Sequence, residues 1–190
     1  MLGGAVVTFT QQNWKFLLIS LFTFSISFAP LLFERFLKVR LPASFQFTFV
    51  LFVFFSMFAG EVWRFYATIW GWDAGIHFLS GILIGLGVIL WLRRMLQWKN
   101  KVRMPGWMQL LFVLTASITV AVIWEVVEFA SDQLFGTTSQ DSLVDTMYDL
   151  ILGTSGTLLL LTAYIRHGSG KFVPGLGKAI AQFDPLNPSK

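Results

Sequence analysis

A chain of 190 residues that is 55% hydrophobic and only 13% charged, with 21 Phe and a mean hydropathy of +0.68, carries more apolar surface than one soluble core of that length encloses. This excludes an ordinary soluble domain and specifies a polytopic membrane protein, an all-α bundle of about five spanning helices. The absence of Cys removes disulfides, thiolate metal ligands and nucleophilic thiols, and the net charge of +4 matters more for its distribution than for its sum.

Residues 1–13 lack the basic start of a signal peptide and precede a longer apolar run, so no cleavage is expected. The first span is expected over residues 14–33. A short basic turn, ERFLKVRLPA, follows with Arg35, Lys38 and Arg40, and Pro42 breaks the helix there. The second span, residues 44–69, is so rich in Phe that its periodicity says nothing, but it turns polar at Glu61 and Arg64. Trp70, Gly71 and Trp72 mark an interface. The third span, residues 73–92, carries Asp73 and His77, then Gly81 and Gly85, small residues at a spacing that lets another helix approach closely. A loop with Arg93, Arg94, Lys99, Lys101 and Arg103 leads to the fourth span, residues 107–130, whose last turns hold Glu125 and Glu128. The fifth, residues 141–165, begins with Asp141, Asp145 and Asp149, with Gly153 and Gly156 below them, and Asp141 is expected as its N-cap. The helical bundle is thus assigned to residues 1–165. Residues 166–190 are read as a Gly/Pro-containing cytoplasmic tail, loose at the membrane surface.

With five spans, twelve of the fourteen Lys and Arg fall on one side, all but Lys15 and Arg64. That side is expected to face the cytoplasm, with the N-terminus outside and the C-terminus inside the cytoplasmic membrane. Eight of the ten acids lie toward the opposite face, Glu34 and Asp184 being the exceptions. The basic loop is a topology determinant touching anionic lipid rather than a nucleic-acid site.

This polarity turns separate residues into a candidate site. Glu61 with Arg64, Asp73 with His77, Glu125 with Glu128, and Asp145 with Asp149 are spaced by three or four residues, so each pair shares a helical face and all four can converge in the outer third of the bundle. A line of acids such as Asp141, Asp145 and Asp149 near lipid is unfavourable unless protons, Arg64 or a bound cation neutralise it.

The blocks at residues 33–40, WDAGIHFLSG at 72–81, IWEVVEF at 123–129 and SQDSLVDTMYDLILGTSG at 139–156 resemble those of YjdF-like bacterial inner-membrane proteins and, more distantly, of VanZ-like proteins. The resemblance implies a membrane protein of the bacterial cell envelope, and for VanZ-like members a link to glycopeptide resistance. It implies no activity for the YjdF-like family.

Carboxylates with one imidazole suit a divalent ion such as Mg²⁺, Mn²⁺, Ca²⁺ or Zn²⁺, and ligands from facing helices are how carboxylate sites are built inside bundles. The expected ligands are Asp73, His77, Glu125, Glu128, Asp145 and Asp149, supported by Glu61, Arg64 and Asp141. A metal with an open position could make the protein a hydrolase or transferase of lipid-linked or phosphate-containing envelope substrates. Two other readings stay open: a proton- or cation-coupled transporter using intramembrane acids, and a polar network with a structural role only. The inner halves of the spans carry no ionisable group before Tyr164, which leaves a transport pathway unmarked. A Ser80, His77, Asp73 arrangement is a coincidence of spacing, and no nucleotide-binding motif is present.

Overall fold

The computed structural model describes residues 14–98, 104–137, 139–140, 142–171 and 173–188, and among these every regular element is a helix, without strands. Among the described residues five stretches are long and apolar enough to cross a membrane: Phe16–Leu37, Ala43–Val62, Trp72–Gln97, Gly106–Phe135 and Leu143–Gly168. The expected five-span bundle is therefore present. The expectations for residues 1–13 and the supporting role of Asp141 at the site lie outside the described residues.

The first span is a broken helix, α1 (Trp14–Ile26) followed by α2 (Ala29–Leu37). Pro30, in the first turn of α2, has no N–H to continue the ladder from α1. The hydroxyls of Ser20, Thr23 and Ser27 each donate to a carbonyl four residues back at 2.7 Å, so all three are satisfied within the span. Lys38 ends α2 in the left-handed region, φ 52°, with its N–H on the Glu34 carbonyl. Pro42 then caps α3 (Ala43–Val53).

The second span is shorter at its C-terminal end than the expected 44–69, for a local reason. α3 passes into a π-helical stretch, Phe54–Val62, and Arg64 at φ 60° breaks the direction before a single turn, α4 (Phe65–Thr68). Phe54, Phe58 and Trp63 pack on one another around this stretch, with ring centroids 5.4–5.8 Å apart. The wider turn brings those rings together.

α5 (Trp72–Trp98), α6 (Gly106–Phe135) and α7 (Leu143–Gly168) form the centre of the bundle, and the α5–α7 interface is the most extensive. Lipid offers no hydrophobic drive for helices to associate, so close packing and interhelical hydrogen bonds must hold them. A Cβ on Gly81 would fall on the Gly153 carbonyl oxygen, and one on Gly156 would fall on that of Phe78. The Thr157 hydroxyl, fully buried, lies 3.0 Å from the Gly81 carbonyl and 3.2 Å from that of Gly153. α5 and α7 are therefore parallel neighbours whose backbones touch, as the small-residue spacing predicts.

Ser142, not Asp141, is the N-cap of α7: its Oγ accepts from the Asp145 N–H at 3.1 Å. The cap lies one residue later than expected because Ser142 holds the extended backbone that a cap requires. The stretch after Arg166 differs more. α7 runs on to Gly168, and the expected loose tail folds as α8 (Pro174–Leu186). Leu176, Ile180 and Phe183 enter a cluster with Ile89, Leu90, Val113, Leu160 and Leu161, and Phe183 has no exposed surface. Arg93 clamps α8 from α5 with a two-pronged pair to Asp184, at 2.7 and 2.6 Å.

Candidate functional site

The α5–α7 crossing sets the register of the site. Gly81 meets Gly153, and Ala121 on α6 stands 3.9 Å from the place a Gly153 Cβ would take. One turn outward, about 5.4 Å along each axis, these positions become His77, Asp149 and Glu125. The small-residue layer thus supports a polar layer from three helices.

In that layer His77 is the hub. Its Nε2 lies 3.4 Å from Asp73 Oδ1 and 3.7 Å from Asp149 Oδ1, while Nδ1 faces Glu125 Oε1 at 4.0 Å. Asp73, His77 and Asp149 each offer one ligand atom within 4.8 Å of the others. Asp149 is 4% and Glu125 6% exposed, whereas the Asp73 side chain is 39% exposed and opens the cluster to the acidic end of the bundle. Glu125 Oε2 is buried and has no hydrogen-bond partner among the described residues. Three carboxylates around one imidazole, two of them buried, are costly without a counter-charge, and a dication shared by Asp73 and Asp149 would cancel theirs. The donor set, two carboxylate oxygens and one imidazole nitrogen, fits a hard or borderline divalent ion.

The other expected residues occupy distinct places. Glu128 is half-buried and accepts a hydrogen bond from the Trp124 indole at 2.8 Å. Asp145 stands one turn above Asp149 and is half-buried. Glu61 lies at the end of the π-helical stretch, half-buried. Arg64 is exposed, and its side chain makes no ion pair among the described residues. The Ser80 hydroxyl donates to the His77 backbone carbonyl at 2.7 Å, so it does not serve the imidazole.

Two residues belong here that sequence spacing did not mark. Tyr66 on α4 folds back with its ring against Gly60 while 38% of the residue stays exposed; partial burial of the phenol, and then the negative field of Asp73, Glu61, Glu128 and Asp149, hold it above its ordinary pKa. Gly60 makes this return possible, since a Cβ there would collide with the Tyr66 ring. The sequence signals this only by turning polar at Glu61 and Arg64, within a span expected to run on to residue 69. Asp132, for its part, shapes the loop that leads to α7. Its carboxylate accepts from the Thr137 hydroxyl at 2.5 Å and from the N–H groups of Ser139 and Gln140 at 2.8 and 2.9 Å. Gln140 then reaches the Glu125 carbonyl and the Thr146 hydroxyl, which ties the loop over the site.

Residues 1–169 match the family described as "Predicted membrane protein (DUF2238)". The chain belongs to this family. It is also similar to a protein of Thermotoga maritima described as "Uncharacterized protein", 27% identical over 146 residues, which cover 76% of this chain and 74% of the relative. No solved structure matches.

Proposed function

We propose that this member of the DUF2238 family binds a divalent cation between α5 and α7, with Asp73, His77 and Asp149 as ligands, on the outward side of the bacterial cytoplasmic membrane. The observation that carries the reading is the convergence of three ligand atoms within 4.8 Å, on two helices whose backbones are in contact directly below. Glu125, beside the other imidazole nitrogen, is placed to orient His77 as a carboxylate behind a metal-bound imidazole does. Glu128 and Asp145 supply further negative potential around the ion, and Glu61 and Tyr66 line its approach. The outward orientation rests on the basic residues gathered at the opposite ends of the spans. The resemblance of the sequence blocks to YjdF-like proteins supports a seat in the bacterial cell envelope.

Three protein ligands leave positions on the ion for water or a phosphate oxygen. The exposed Asp73 side is where a phosphate-containing or lipid-linked envelope substrate would enter. Coupled transport has less support, because the inner halves of the spans carry no ionisable group before Tyr164 to continue a path from the cluster.

The test is a melting series of the detergent-purified protein with Mg²⁺, Mn²⁺, Ca²⁺ or Zn²⁺. An ion at about 100 times its Kd stabilises a native site by about 2.7 kcal/mol, a rise of roughly 5–10 °C for a chain of this size. The wild type is expected to show that rise with at least one ion and Asp149→Asn to lose it. Equal responses in both proteins would reject the ligand assignment.

A further inference from the structure

At the opposite, basic end of the bundle lies a cavity of about 400 Å³ lined by Leu31, Glu34, Arg35, Lys38, Val39, Arg40, Arg94, Leu186 and Asn187. Four cationic side chains face it against the single carboxylate of Glu34. That carboxylate is already engaged, its Oε1 accepting from the Leu41 N–H at 2.6 Å and from the Gln46 amide at 3.1 Å. Its walls come from separate parts of the chain and are pinned together. Asn187, 3% exposed, accepts from the Arg40 N–H and donates to the Arg40 carbonyl, both at 2.7 Å. Arg94 donates across the same edge to the carbonyls of Asn187 and Pro188, at 3.3 and 3.0 Å. Lys38 enters the lining from a left-handed turn, φ 52°, a conformation that L side chains avoid unless the surroundings impose it.

Position and lining together identify the ligand chemistry. The cavity sits where α2 ends the first apolar stretch, at the end of the bundle where the basic residues gather. Its lining is cationic, but Leu31 and Leu186 are apolar and exposed beside it, at 51% and 43%. We infer that this cavity is a binding site for a phosphate group at the cytoplasmic surface, of the kind an anionic phospholipid headgroup presents. The guanidinium groups of Arg35, Arg40 and Arg94 grip phosphate oxygens, Lys38 adds a point charge, and the two leucines accompany the start of an acyl chain. A phosphate ester from solution shares the first part of that chemistry and not the second.

Melting of delipidated protein in detergent separates these cases. Phosphatidylglycerol is expected to raise the wild-type melting temperature by roughly 5 °C, phosphatidylcholine to leave it unchanged, and Arg35→Gln and Arg40→Gln each to reduce the rise by half or more. Lys178→Gln, an exposed cation outside the cavity, is expected to keep the full rise. A comparable rise with inorganic phosphate alone would assign the site to a soluble phosphate ester. Equal shifts with the two lipids, no shift with either phosphatidylglycerol or phosphate, or full shifts in both Arg variants would overturn the inference.

Discussion

At His77 the two ring nitrogens meet different surroundings, and that difference separates the roles of the acids. Nε2 faces Asp73 and Asp149 together, while Nδ1 faces Glu125 alone. Asp149→Asn removes a ligand charge, whereas Glu125→Gln keeps the volume and removes only what orients the ring. Competition titration with a metal indicator is therefore expected to show the metal affinity of Glu125→Gln weakened about 10–100-fold, with Asp149→Asn weaker still. A Glu125→Gln protein of wild-type affinity would detach Glu125 from the site. The spacing of Asp73 and His77 on one helical face was readable from the sequence, and so was their partnership with acids on the fifth span. Tyr66 was not, because its approach depends on the left-handed turn at Arg64. Nor was the use of Asp132, whose oxygens are taken by loop N–H groups rather than by the cluster.

At the scale of helices, the site depends on the contact beneath it. Gly81→Ala would set a methyl against the Gly153 carbonyl and force α5 from α7, at about 1–3 kcal/mol. Gly75, two residues before His77, has open space around it, so Gly75→Ala is expected to be neutral or stabilising by up to about 1 kcal/mol. Paired detergent melts check both, and the metal-dependent rise should shrink in the Gly81 variant alone. This contact was foreshadowed by the glycine spacing. The π-helical stretch was not, since a run so rich in Phe carries no period from which a register can be read.

α8 shows the other limit of reading by composition: Gly and Pro suggested a loose tail, but its Leu176, Ile180 and Phe183 share one face and find a core built by residues far away in the chain. Its clamp is pH-sensitive in a definite direction. The hydrogen bonds from Arg93 hold the Asp184 carboxyl below its ordinary pKa, so the clamp stabilises the docked helix above the usual Asp range and is lost as pH falls through the lowered value. Hydrogen exchange of the α8 amides is expected to speed up on such acidification. In Asp184→Asn it should already be fast at neutral pH, and exchange unchanged by the substitution would show that the apolar face alone docks α8.

For the whole molecule, orientation and metal binding form one account, because the acids and the bases gather at opposite ends of the spans. The absence of native Cys makes the topology directly measurable. In intact cells a membrane-impermeant maleimide is expected to label Ser139→Cys, and to label Ser169→Cys only after permeabilisation; the reverse pattern would turn the cluster toward the cytoplasm. The central claim is tested most directly by elemental analysis of protein purified without added metal or chelator, comparing wild type with His77→Ala. The account predicts about one equivalent of a divalent metal per wild-type chain and a small fraction of that in the variant. A folded wild-type protein with no stoichiometric metal, or a variant that retains the full equivalent, would contradict it and leave the cluster a structural polar network.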